Sequence, residues 1–258
     1  MRPPGNNVLG RAVRHVRRIT RPWVSRSGIR PSEGHHRMQG SFLREVVFGA
    51  NDGLVSNVAL VAGVAGGTNN PNIILLGGIA GLVAGAISMS LGAYVSTKSE
   101  HEFRESEEQR ERWEVEHMRD QELAETRNIF RLKGIPEQLL DEIVQAVSHD
   151  QEQWVKLMMT EELGFADQPP RPKISAIVMG VAFSAAAMFP VLPYFFTEGS
   201  TAFVTSLSLT AAALFGVGAL RASMTAGGLW RRGVEMVVLG GAAVVIANVI
   251  GRAVGVTV

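Results

Sequence analysis

The chain has 258 residues, and its 25 Lys and Arg against 24 Asp and Glu leave a net charge of +1, which gives no drive toward nucleic acid. It has no cysteine, which excludes disulfides and thiolate metal sites, so metal chemistry would need carboxylate, imidazole, thioether or backbone oxygen. Charge is sparse from Val46 to Ser96, dense from Lys98 to Asp167, and sparse again from Ile174. That segregation is the profile of a membrane protein with one inserted polar domain.

Residues 1–38 are basic, with Arg11, Arg14, Arg17, Arg18 and Arg21 and no acid before Glu33. Leu9, Ala12, Val13, Val16 and Trp23 recur at roughly helical spacing, as in a helix lying on a lipid surface. An import presequence and a plain tail fit the same composition. Five apolar stretches follow, at about 46–67, 73–96, 174–196, 203–221 and 233–251, each long enough, or nearly so, to cross about 30 Å of hydrocarbon. The links around Gly67–Pro71 and Thr197–Ser200 carry no Lys or Arg. The arginine-rich amino terminus, the insert and Arg221, Arg231 and Arg232 fall together on the other side. By the positive-inside rule that side is the cytosol, and five crossings put the carboxyl terminus outside. Arg252, near that outer end, runs against the trend.

Gly77, Gly81 and Gly85 recur every fourth residue on the second span, and Gly49 and Gly53 on the first, as small-residue ridges for close helix contact. Pro190 and Pro193 should kink or end the third span. In the insert, Lys98 to Leu132 lacks Gly and Pro and reads as one helix reaching about 50 Å beyond the membrane. Gly134 reads as its stop and Pro136 as the first turn of the next helix. Ser148 with Gln151 resembles a capping box for a last helix ending at Gly164. Pro169, Pro170 and Pro172 then form a stiff linker back into the membrane.

Asp52 stands inside the first apolar span. A carboxylate there costs about 2.5–3.5 kcal/mol on insertion scales, so it should face a polar path or a partner. Asn51 and Asn57 are either further oxygen donors or helix–helix hydrogen bonders. Met89, in the second span, carries a soft thioether that Mg²⁺ and Ca²⁺ do not favour, although methionine in an apolar helix is usually packing. On a single helix Glu111, Glu114, Glu122 and Glu125 share one face, joined by Glu100, Glu107 and Met118, with Arg110, Arg112, Arg119 and Arg127 off it and only Arg104 interrupting it. Like charges three or four apart repel, so such a face wants a cation. Glu162 follows Met158 by four and Met159 by three, which lets thioether and carboxylate share a face on the last helix. Carboxylate alone suits Ca²⁺ or Mg²⁺; thioether shifts preference toward Fe²⁺ or Mn²⁺. His101, His117 and His149 lack a paired spacing. Glu114 with His117 supplies one Glu-x-x-His spacing of the kind a di-iron oxidase needs twice, and His149 has no Glu three before it.

These residues resemble the vacuolar iron transporter family. Gly49-Ala50-Asn51-Asp52-Gly53-Leu54 is similar to its first-span Asp-Gly-Leu signature, and Ala84-Gly85-Ala86-Ile87-Ser88-Met89 to its second-span motif, followed by Gly92, Tyr94 and Lys98-Ser99-Glu100. Gly134-Ile135, Trp154, Met158-Met159, Glu162-Leu163-Gly164 and Pro190-Val191-Leu192-Pro193-Tyr194 extend the likeness from about residue 41 to the end. The resemblance implies a homodimer with the ion path between subunits, exporting Fe²⁺ or Mn²⁺ from the cytosol in exchange for protons. It implies Asp52 and Met89 as membrane ligands, and Glu111, Glu114, Glu122, Glu125, Met158, Met159 and Glu162 as a cytosolic metal cluster. The chain departs from the family at Gly81 and Ala93, where relatives carry glutamate, and at Ser41, where an acid is expected. Asp52 must then exchange metal and proton by itself, or share the task with Glu45 at the cytosolic mouth.

The expected architecture is therefore an all-α integral membrane protein of five transmembrane helices with a cytosolic helical metal-binding insert between spans 2 and 3. It divides into a basic extension (1–40), spans 1 and 2 (41–97), the insert (98–172) and spans 3 to 5 (173–258). The expected function is divalent transition-metal transport, not enzymatic, with Asp52, Met89, Glu45 and Asn51 along the path and no prosthetic group. Expected partners are a second copy, lipid, divalent metal and protons, and no nucleic acid. A metal-buffering or sensing protein anchored in the membrane is the alternative. Low Lys with high Arg, Ala, Gly and Val leans toward a bacterial inner membrane; a vacuolar or other organellar membrane is the alternative.

Overall fold

A computed structural model describes residues 33–165, 171–224 and 228–255. The expectation of a basic surface helix at the amino terminus, and Pro169 and Pro170 of the expected linker, lie outside them. The chain divides into Met1–Arg44 and Glu45–Val258. The described part of the first unit, from Glu33, is helical.

The described residues form helices joined by short turns, with no strand among them. They are α1 (Glu33–Gly67), α2 (Pro71–His117), α3 (Arg119–Leu132), α4 (Glu137–Val147), α5 (Gln151–Glu161), α6 (Pro172–Val191), α7 (Gly199–Met224) and α8 (Leu229–Gly255). Five of them, α1, α2, α6, α7 and α8, are long and apolar enough to cross a membrane. In hydrocarbon every backbone amide must be satisfied internally, which a helix does and a loop does not. The chain is a multi-pass membrane protein, with its spans close to where apolar composition puts them.

Asn70 caps α2 by accepting from the Asn72 amide at 3.0 Å, and Pro71 sits at the first helical position, where its missing N–H costs nothing. At 47 residues α2 is about 70 Å long, over twice the hydrocarbon thickness. Its apolar part ends near Ser96, and the remainder to His117 is densely charged.

The expected single helix over 98–132 is two. α2 ends at His117, Met118 leaves helical geometry (φ −120°, ψ 34°), and α3 starts at Arg119. The amides of Gln121 and Glu122 both return to the Met118 carbonyl. The break is favoured by what it buries. Glu122 and Thr126 turn inward, and the Thr126 hydroxyl accepts from Trp154 Nε1 at 2.8 Å. Gly134 (φ +83°) then ends α3 as expected, with the Ile135 amide returning to the Phe130 carbonyl. The expected Ser148 cap is also corrected. Asp150 caps α5, taking the amides of Glu152 and Gln153 at 3.0 and 3.3 Å, while Ser148 bonds back to Gln145. Asp is as good a cap as Ser and stands directly before the helix.

Pro190 lies within the last turn of α6, which tightens into a 3₁₀ turn at Leu192–Phe195. The Pro190 carbonyl accepts from the buried Ser206 hydroxyl at 2.6 Å, tying α6 to α7.

Glycines let the spans touch backbone to backbone. A Cβ on Gly53 would fall 2.4 Å from the Phe183 carbonyl oxygen on α6, and one on Gly251 would fall 1.8 Å from the Gly63 carbonyl oxygen. Such approach maximises dispersion where lipid supplies no hydrophobic drive between helices. α2 lies along α6, and α7 along α8. Leu54, Ala186, Leu214 and Met236 form one membrane core and Val61, Ile74, Val191, Tyr194 and Ala202 another. Along α2, Leu76, Val83, Ile87, Leu91 and Val95 remain exposed, a face fit for lipid or a second copy.

Candidate functional site

Two places gather the residues that chemistry singles out. The first is a cavity of about 210 Å³ between α1 and α2, backed by Phe183 of α6. Asp52 and Met89 both line it, together with Ser56, Asn57 and Ser88. No hydrogen bond or ion pair engages the Asp52 carboxylate among the described residues; the Ser56 hydroxyl donates to the Asp52 backbone carbonyl at 2.6 Å instead. An unpaired carboxylate beside a cavity is an expensive group, held within reach of a cation rather than of a protein partner.

Asn57 is 2% exposed and anchored by its Nδ2, which donates to the Ala187 carbonyl at 2.6 Å. That bond leaves its Oδ1 buried without a partner on the cavity wall. Of the two roles open to Asn57, the fold shows the helix–helix hydrogen bond, made through Nδ2. Asn51 does not line the cavity, and its Oδ1 is likewise buried and unpartnered. Glu45 stands seven residues before Asp52 on α1, about 10 Å along the helix. Its Oε1 accepts from the Ser175 hydroxyl at 2.8 Å, and Ser175 accepts from Thr97 at 3.2 Å. Glu45 is thus tied into a polar chain where α1, α2 and α6 converge.

Gly81 and Gly85 line the same cavity. A Cβ on Gly81 would meet Leu60 Cδ2 at 2.1 Å and Asn57 Oδ1 at 3.0 Å. Any side chain there would enter the cavity, which holds one carboxylate, that of Asp52.

The second place lies where the far end of α2 meets α3 and α5. Five surface acids there are taken by bases: Glu108 and Glu152 by Arg112, Glu137 and Asp141 by Arg127, Glu161 by Lys133. Arg110, expected off the acidic stripe, reaches Glu107 at 3.2 Å and Glu114 at 3.4 Å. The inner acids remain. Glu111 is 1% and Glu122 5% exposed, and Oε2 of each is buried without a partner. Burial first, then repulsion from Glu162, Glu122 and Glu114, pushes Glu111 up to about 7. Glu122 is likewise pushed to about 7 by burial, then by Glu125, Glu114 and Glu162. Burial and the neighbouring Glu125 and Glu114 raise Glu162 as well, and Glu162 shares a hydrogen bond with Glu125.

The fold therefore brings the five expected glutamates Glu111, Glu114, Glu122, Glu125 and Glu162 into one interacting set. Yet no three His, Asp or Glu side chains among the described residues already stand in metal-holding geometry. Met158 and Met159 are buried beside this set in a core with Val115, Trp154 and Val155. The Thr126 hydroxyl donates to Met158 Sδ at 3.5 Å, and Arg119 lies over the Trp154 ring. His117 is stacked on Trp113 with its Nδ1 on the Trp113 carbonyl, so the Glu114–His117 spacing builds no di-metal site.

Residues 43–252 match the family described as the VIT family. Vacuolar iron transporter 1 of Tulipa gesneriana is 31% identical over 224 residues, covering 86% of this chain and 91% of that protein. Vacuolar iron transporter 1 of Arabidopsis thaliana is 34% identical over 182 residues, covering 70% and 73%. The vacuolar iron transporter of Toxoplasma gondii is 35% identical over 162 residues, covering 62% and 54%.

Proposed function

The chain belongs to the VIT family, and on that premise we propose that it carries Fe²⁺, and Mn²⁺ as a second cargo, out of the cytosol in exchange for protons. The metal is cargo, and no prosthetic group takes part. The observation that carries this reading is the cavity shared by Asp52 and Met89 inside the spans, with the Asp52 carboxylate unpaired. Carboxylate plus thioether is a donor set that a dehydrating transition-metal ion accepts and Mg²⁺ does not favour.

Metal first meets the glutamate set on the insert, where it replaces protons on Glu111 and Glu122. It then passes Glu45 and reaches the cavity, where Asp52, Met89 and the Asn57 carbonyl oxygen substitute for lost water. Asp52 takes up a proton after the ion leaves, which resets the path. Clustering of Lys and Arg on the insert side supports a cytosolic insert. Exposure of the lining residues Ser56, Leu60 and Ser88 supports a homodimer, with a second copy completing the cavity wall. Composition supports a bacterial inner membrane, while the relatives' names favour the vacuolar alternative.

Proteoliposomes loaded with a pH dye test the proposal. Wild type takes up Fe²⁺ or Mn²⁺ with counterflow of protons, and Asp52→Ala abolishes uptake while the insert still binds metal. Uptake that persists in Asp52→Ala would reject it. The buffering alternative predicts the reverse pattern: metal tolerance survives loss of Asp52 and fails when Glu111 and Glu114 are both replaced.

A further inference from the structure

We infer that the cleft between α2 and the start of α6 is a binding site for the headgroup of an anionic phospholipid. The cleft is about 430 Å³ and is separate from both places described above. Its basic groups are Lys98 from α2 and Arg171 and Lys173 from the α6 start. Two acids also line it, Glu102 and Glu105. Glu102 is paired along its own helix with Lys98 at 3.4 Å, and Glu105 lies 3.7 Å from His101, an ion pair only when that histidine is protonated; three bases against two acids leave one positive charge in excess. Arg171 and Lys173 have no ion pair among the described residues. The excess charge is therefore positive and lies on the α6 side.

The level of the cleft selects the ligand. Tyr94 and Ile174 line it where the apolar part of α2 ends and that of α6 begins, the depth of the lipid phosphates. Val95, Ile174 and Ile177 continue below as exposed apolar side chains. A phosphodiester at Arg171 and Lys173 thus leaves its acyl chains running down an apolar rail, with the tyrosine ring at the boundary. A soluble phosphate would use the cations and gain nothing from the rail. Basic pockets between spans are a recurring solution for anionic headgroups. The inference needs α2 and α6 only as spans, and stands or falls apart from metal transport.

The full chain, purified in neutral detergent, is titrated by native mass spectrometry with phosphatidylglycerol and with phosphatidylcholine of the same acyl chains. Phosphatidylglycerol binds more tightly. The pair Arg171→Ala and Lys173→Ala weakens it about 25-fold, about five-fold per charge, and leaves phosphatidylcholine unchanged. Lys156→Ala, an exposed cation elsewhere on the insert, has no effect. Should the double variant not fold, Lys98→Met alone weakens phosphatidylglycerol about five-fold. Equal binding of the two lipids by wild type, or an undiminished preference in the variants, overturns the assignment. So does release of bound phosphatidylglycerol by excess inorganic phosphate, which would make this a soluble-anion site.

Discussion

Metal binding to the insert should depend steeply on pH, because Glu111 and Glu122 are both pushed up to about 7. Metal must displace their protons below that pH. For one carboxyl titrating at about 7, the ionised fraction falls about 25-fold between pH 7.5 and 5.5, and for two the product falls about 600-fold. Apparent Mn²⁺ affinity of the purified protein, measured by equilibrium dialysis in the two buffers, should drop by an amount between those limits. A weakly buffered sample should release protons on metal addition near pH 6.5. Glu111→Gln and Glu122→Gln should each flatten the dependence and weaken binding at pH 7.5. The metal-free protein should respond to pH in its own way. A carboxyl raised in the folded state keeps a proton that the unfolded chain has lost, so its contribution to stability falls as pH rises from about 4.5 through about 7. A rise from 4.5 to about 7 is worth at most about 3 kcal/mol per carboxyl. Added metal should offset that loss at alkaline pH. An affinity that is flat from pH 5.5 to 7.5, or unchanged in both glutamine variants, would refute this reasoning.

Met89→Leu conserves volume and should cost under about 1.5 kcal/mol of stability. It should lower Fe²⁺ and Mn²⁺ uptake relative to Mg²⁺ in competition assays, since only the soft donor is lost. Gly53→Ala puts a methyl 2.4 Å from the Phe183 carbonyl oxygen, and should lower the temperature of aggregation in detergent by an amount matching about 1–3 kcal/mol. Gly216→Ala has nothing within 4 Å of the new carbon and should leave that temperature unchanged. Trp154→Phe removes the bond to Thr126 and should cost about 1 kcal/mol, read as faster proteolysis of the insert.

The spans were legible because bilayer thickness is a length and apolarity a local property. Both are read from Val46–Gly67 or Ile174–Phe196 without knowing what lies beside them. Asp52 stood out for the same reason, as a charge whose cost in lipid needs no neighbour to be seen. The break at Met118 was not legible, because no Gly or Pro marks it. It accompanies the burial of Thr126 under its hydrogen bond from Trp154, a contact that appears only when α5 is in place. Sorting the acids needed the fold too, since which glutamates meet an arginine depends on the approach of α4 and α5 to α2 and α3. Composition and periodicity thus determined a five-span chain with a charge-dense helical stretch between spans 2 and 3 and a carboxylate, Asp52, inside the first span. Tertiary packing alone decided that Asp52 shares a cavity with Met89, that Asn57 on its wall bonds the Ala187 carbonyl, and that Glu111 and Glu122 are buried with an oxygen unpartnered. Such outcomes depend on distances between groups far apart in the chain, which local sequence does not encode.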